Sequence, residues 1–214
     1  MPRMGYPPEP WSLRGRMYVS VWALPAAALP AVPPELAGAV RVLRLGARAF
    51  VGAAWVDYRP GGVLSYRELL AAVLMRHGLR PRVTITHIWV DSPESRDGGR
   101  ELWGIPKDLA EFELTDTRAA ASVGASAEIR SAKPLLRLPI GFKCTQVLHG
   151  APKTTPVRAS ARCGPATVRW HIDAAGPLGF LHGRKPLLSL VADDFRMTFG
   201  VTAAQSRTAS SGPS

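Results

Sequence analysis

Two cysteines are too few for a disulfide framework, and Cys144 and Cys163 share no metal-type spacing with each other or with the five histidines. They read as reduced thiols. His171 and Asp173 would share a strand face, but no third ligand accompanies them. Neither a metal nor a cofactor is expected. Long apolar runs are missing too. The longest, Val19 to Val32, is interrupted by Pro25 and Pro30, short of the roughly 20 residues that a membrane helix needs. The opening MPRMGYPPEPW has no apolar signal core, so no secretion signal is read, no membrane partner is expected, and a cytoplasmic location is.

Negative charge is scarce: 16 Asp and Glu stand against 27 Lys and Arg, a net charge of +11. Such a balance suits polyanion binding. Yet the basic residues are scattered, none form a run of five, and no Lys/Arg cluster alternates with aromatics as a single-strand surface requires. Nucleic acid is therefore not expected as a partner, and a basic, non-catalytic interaction protein ranks last among the function classes. Lysine itself is rare, at positions 107, 133, 143, 153 and 185 only.

What the chain does have is apolar residues, 46% of the total, enough for a full core in a 214-residue chain. One domain over residues 1–201 is expected, with the small, polar stretch 202–214 a disordered tail. Trp11 to Leu24 alternates loosely, as a strand does, and Val40 to Leu45 and Ala49 to Tyr58 read the same way. Residues 27–38, broken by Pro, suggest a short helix or turn, and RPGG at 59–62 a turn. VTITHIWV (83–90), dense in β-branched and aromatic residues, is the clearest strand, and His87 within it reads as a partly buried ring. Residues 91–99 read as a polar loop. Further strands are expected at 112–117, 119–129, 142–149, 156–161 and 166–172. Tyr66 to His77 fits either period, because Leu69, Leu70, Val73 and Leu74 also make a helical face. Many short strands with few helices point to an α+β fold with a mainly antiparallel, barrel- or cone-like sheet, whose mouth would suit a small ligand.

The segment DSPESRDGGRELWGIPKDLAEF (91–112) carries the chemistry. Trp103, Ile105 and Leu109 surround Lys107 with apolar bulk, and Pro106 fixes the backbone before it. Lysine is seldom placed so, and burial disfavours its ammonium form. A neutral amine attacks a ketone carbonyl to give an iminium. Taken alone, a single Lys after Pro is ordinarily structural, and Arg100 and Glu101 read as residues that hold the loop presenting it.

GRELWGIPKDLAEF (99–112) resembles the acetoacetate decarboxylase motif, in which Gly-Arg-Glu leads through an apolar residue and Pro to the Schiff-base Lys. Lys107 falls at the reactive position. PWSLRGRMYVSVWAL (10–24) is similar to the family's first strand, with Arg16 at its active-site Arg; SYRE (65–68) places Glu68 at an active-site carboxylate; ADDFRMTFG (192–200) is similar to its closing strand. The likeness runs in order from about residue 9 to 200, and it implies a strand for 66–77. Two positions depart from the family. Asp108 stands where the decarboxylases carry a second Lys, and the place of another family carboxylate falls near Val51, with Asp57 the nearest acid. Activation of Lys by desolvation or by a neighbouring cation, for which acetoacetate decarboxylase is the standard example, would here have only desolvation to draw on.

The resemblance implies a Schiff-base lyase for a small 2-oxo or 3-oxo acid, by decarboxylation or by aldol and dehydration chemistry, of the kind associated with secondary metabolism. Lys107 would be the amine, Glu68 a general acid/base, and Arg16 a carboxylate-binding fork or a structural partner of Glu68 or Glu101. Tyr18, Tyr66 and Trp103 would line the substrate pocket. The alternative is a protein that binds or cyclises an apolar intermediate in the same pocket without an imine. The family also implies a homo-oligomer.

Overall fold

A computed structural model describes residues 5–134 and 136–200; the expected tail, 202–214, lies outside them. The order is β1 (Trp11–Pro25), β2 (Arg41–Val42), β3 (Arg44–Leu45), β4 (Arg48–Tyr58), β5 (Tyr66–His77), β6 (Arg80–Val90), α1 (Pro93–Trp103), β7 (Lys107–Leu109), β8 (Phe112–Leu114), β9 (Arg118–Ala121), β10 (Ala125–Ser131), β11 (Leu136–Leu148), β12 (Ala151–Ile172) and β13 (Leu188–Phe199). Short 3-10 turns occupy Ala26–Ala28, Pro34–Leu36 and Gly179–Leu181. The strand reading of 66–77 holds. β11, β6, β5, β4, β1, β13 and β12 are neighbours in that order, and β12 returns to β11, closing a seven-stranded barrel. All pairings in the ring are antiparallel except a parallel bridge between Cys144 and Val83. The far half of β12 pairs with β10, and β10, β9 and β8 form a small sheet against the barrel's outer face.

Strand alternation divides the apolar residues between two cores. Inward positions of all seven barrel strands meet: Trp11 and Leu13 of β1, Val56 and Tyr58 of β4, Tyr66 of β5, Ile88 and Val90 of β6, Cys144 of β11, Val157 of β12 and Phe195 of β13. Outward positions of β1, β4 and β5, such as Trp22, Trp55 and Leu69, pack against Ala127 and Ile129 of β10 and Val168 of β12. Each large side chain buried this way contributes roughly 1.5–3 kcal/mol.

Three expectations change. The single strand at 119–129 is a hairpin, β9 and β10, turning at Gly124, whose φ of 77° suits glycine. The strands at 156–161 and 166–172 are one 22-residue strand. The polar loop at 91–99 is the start of a helix. Ser92 caps it, its Oγ accepting from the Ser95 N–H at 3.1 Å, and Pro93 occupies the first helical position. Gly104 closes it with a φ of 68°, at a point where a Cβ would lie 1.9 Å from the Val147 carbonyl oxygen.

Candidate active site

The site forms where α1 covers one end of the barrel. Tyr66 and Glu68 are two apart on β5 and so share its inward face. Tyr58 on β4 lies directly across from Tyr66, their ring centroids 4.3 Å apart. β7 runs parallel to β6 and pairs Lys107 with inward-facing Ile88, which sends Lys107 into the barrel and Asp108 out of it. There the Lys107 Nζ donates to Glu68 Oε2 at 2.9 Å, to Ser95 Oγ on α1 at 2.9 Å and to the Tyr66 hydroxyl at 3.3 Å. The Tyr58 hydroxyl donates to the other Glu68 oxygen at 3.1 Å. The ammonium thus has three acceptors for its three protons. Lys107 is 4% exposed and Glu68 2%.

The two glycines that made 91–99 look like a loop are what let a helix lie here. A Cβ on Gly99 would stand 2.7 Å from Lys107 Cδ, and one on Gly98 would stand 2.5 Å from the Trp11 ring. Arg100 clamps the far side of β7, donating to the Lys107 carbonyl oxygen at 2.6 Å and to Asp108 at 2.7 Å. Asp108 therefore spends its charge on Arg100 at the surface and not on the Lys107 amine.

Burial pushes the Lys107 ammonium towards the neutral form, but Glu68, with Tyr66 behind it, more than offsets this, and the net direction is up from the ordinary lysine value. Burial also raises both tyrosines, Tyr58 the further because Lys107 pulls Tyr66 back down, so both phenols stay protonated. The resting site is an ion pair in an apolar enclosure with two phenols and one alcohol as partners.

The other candidate residues lie elsewhere. Arg16 pairs across the sheet with Asp57, and Tyr18 with Trp55, which puts both on the outer face of the wall that carries Glu68 on its inner face. Arg16 binds neither Glu68 nor Glu101: its Nε donates to Asp193 at 2.6 Å and its Nη1 to Asp116, with the Tyr18 hydroxyl 3.5 Å away. The hydrogen bond it donates to Asp193 chiefly drives the guanidinium upward in pKa. Trp103 roofs the barrel, 2% exposed and packed edge-on against Trp11 at 4.9 Å and Phe199 at 4.7 Å. Its Nε1 finds no hydrogen-bond partner among the described residues. Val51 is part of the outer core, and Asp57 pairs with Arg59. An open groove of about 490 Å³ is lined by Asp91, Pro93, Leu109, Ala110, Glu111 and Ser122, none of which belongs to the Lys107 cluster.

Sequence reasoning missed Ser95 and Tyr58. A signal existed for each. Ser92-Pro93 is a helix start that places Ser95 in the first turn, and a hairpin about the RPGG turn sets Tyr58 against Tyr66.

The family model for acetoacetate decarboxylase matches residues 1–168. The chain belongs to the acetoacetate decarboxylase family. Its fold agrees. The acetoacetate decarboxylase of Legionella pneumophila superposes with a TM-score of 0.60 at 17% identity, over 93% of this chain and 89% of that one. A second acetoacetate decarboxylase gives 0.59 at 18%, over 92% and 88%. The enduracididine biosynthesis enzyme MppR, in complex with the condensation product of pyruvate and imidazole 4-carboxaldehyde, gives 0.57 at 16%, over 92% and 90%. No curated protein matches the sequence significantly. In this chain the Lys107 cluster brings an amine and a carboxylate together inside the barrel.

Proposed function

We propose that this member of the family is a carbon–carbon lyase that forms an imine between Lys107 and the ketone of a small 2-oxo or 3-oxo acid. The observation that carries this reading is the buried pair itself: one lysine, shut in the barrel, 2.9 Å from a carboxylate that can take its proton. An ammonium is not a nucleophile, and Glu68 holds Lys107 in that form at rest. Transfer of one proton across the pair leaves a free amine and a carboxylic acid, and burial favours this because it removes two charges from an apolar site. The amine adds to the ketone carbon; Glu68 returns the proton to the departing hydroxyl; water leaves and a protonated imine remains. That cation draws the electron pair of a C–COO⁻ bond as carbon dioxide departs from a 3-oxo acid. From a pyruvate-like acid, loss of a C3 proton gives the enamine that adds to an aldehyde. The second route agrees with the condensation product that MppR holds. Tyr66 and Ser95, both on the amine, would hold the carbinolamine oxygen or nitrogen during these steps. Because α1 carries Ser95 and lies over Lys107, a substrate reaches the amine only when this helix shifts.

The test is borohydride reduction with pyruvate and, separately, with acetoacetate, between about pH 6 and 9, read by intact mass and peptide mapping. A substrate-sized gain on Lys107 that vanishes in Lys107→Ala is the expected result. Absence of any adduct with either ketone would sink the imine. A second reading, non-covalent binding or cyclisation of an apolar intermediate in the same enclosure, is favoured by the closure of Lys107 and its charged resting state. A thermal shift by such a ligand with no covalent adduct would select it.

A further inference from the structure

Five of the basic residues that are dispersed in the sequence converge at the end of the barrel opposite α1. Between Glu35 and Asp57, and again between Glu68 and Asp91, the chain has no carboxylate. Besides Arg82, which is buried and donates to the Pro81 carbonyl, these two stretches contribute Arg41, Arg44, Arg48, Arg76 and Arg80. Pairing gathers them. Arg41 lies directly across from Arg76, and His77 from Arg80. β4 and β5 are in register at Val51 and Val73, so Arg48 and Arg76, three residues further along each strand, reach the same end of the sheet. No described residue forms an ion pair with any of the five; Arg48 and Arg76 donate only to backbone carbonyls, of Ala23 and Gly78. Two guanidinium groups facing each other across a ladder without a carboxylate cost stability, so the fold does not explain the arrangement.

Two hairpin tips rise at this end, at Gly46 and Gly78, each with a φ near 60°. Each presents a leucine beside an arginine: Leu45 next to Arg44 is 74% exposed, and Leu79 next to Arg80 is 97% exposed. Neither tip has a Phe, Tyr or Trp on which a nucleic-acid base could stack, and the His77 ring is hydrogen-bonded to the Ala39 carbonyl. Apolar tips ringed by cations match one partner chemistry: a bilayer surface with anionic headgroups, where leucine enters the acyl boundary and arginine holds phosphate. We propose that this end of the barrel docks on anionic membrane surfaces, through Leu45 and Leu79 as wedges and the five arginines as phosphate contacts. Glu35 is exposed on the 3-10 turn just before Ala39, whose carbonyl accepts from His77. Tyr66 and Glu68 open β5 and His77 closes it, so docking leaves the Lys107 end facing solvent.

The test is co-sedimentation of the full chain with phosphatidylcholine vesicles with and without about 30% phosphatidylglycerol. Binding is expected only to the anionic vesicles, lost at about 0.5 M salt. Leu45→Ser with Leu79→Ser should weaken it about tenfold, and Arg44→Glu with Arg80→Glu should abolish it, with thermal melting unchanged in both because all four residues are exposed. No binding to anionic vesicles overturns the proposal. So does binding that the leucine variant leaves intact, or equal affinity for duplex DNA in both leucine states, either of which would make the patch a general polyanion surface.

Discussion

The wall formed by β1, β4 and β5 carries an ion cluster on each face, and the two could hardly be less alike. On the inner face Lys107 and Glu68 are sealed, and every proton of the ammonium is assigned. On the outer face Arg16, Asp193, Asp116, Asp57 and Arg59 form a chain of pairs that water reaches. Removal of a partner from water is what makes a charge matter, because an exposed group left alone is rehydrated and a buried one is not.

The comparison breaks hardest at Glu68. Glu68→Ala leaves a buried ammonium without its carboxylate and should cost about 3–5 kcal/mol in urea unfolding. Lys107→Met combined with Glu68→Leu removes both charges and should cost clearly less than Glu68→Ala alone. If the double variant is the worse of the two, the pair is not the electrostatic unit described here. Gly99→Ala comes next. The added methyl meets Lys107 Cδ and Cε, and overpacking should cost about 1–3 kcal/mol despite the gain in helix propensity. The same variant should trap less borohydride adduct, since Lys107 must move to admit it.

pH sharpens the contrast by sign. Lys107 is raised on folding, so its contribution is complete below the ordinary value of 10.5 and fades as pH climbs through the raised one. Asp193 is lowered, chiefly by the Arg16 hydrogen bond, so its contribution is complete above 3.8 and fades as pH falls through the lowered value. Stability profiles should therefore lose alkaline slope in Lys107→Met and acid slope in Asp193→Asn. Smallest of all is Arg16→Ala. Its partners are open to solvent, so the loss should stay within about 1 kcal/mol and shrink further with added salt. A loss as large as that of Glu68→Ala would show that the outer cluster is no mere surface network.

Much of this was legible in the sequence for reasons that differ by residue. The strand at 83–90 announced itself through β-branched and aromatic composition, and Lys107 and Glu68 were marked by short motifs on β7 and β5, strands that both pair with β6. Residues 66–77 were not decided by periodicity, because a strand buried on both faces has no polar side to betray its period. α1 was missed because Gly98 and Gly99 weaken a helix in isolation; they are there for Trp11 and Lys107, contacts that no local pattern encodes. The opposite faces of Arg16 and Glu68 follow from register alone, which only the assembled sheet defines. The arginine end was invisible for the same reason, its members lying up to 39 positions apart in the chain, from Arg41 to Arg80.

β1 pairs with β13, Trp11 lying opposite Phe199. The seam of the barrel therefore joins one of the earliest strands to be synthesised with one made almost 190 residues later. On a ribosome, β1 must wait with one edge bare until residue 199 has emerged, and so must β12 on the other side of the gap. Strands left unpaired at that stage are templates for the wrong neighbour. Barrel closure is consequently a late event in biogenesis, and the nascent chain, more than the finished protein, is where this architecture is vulnerable to aggregation.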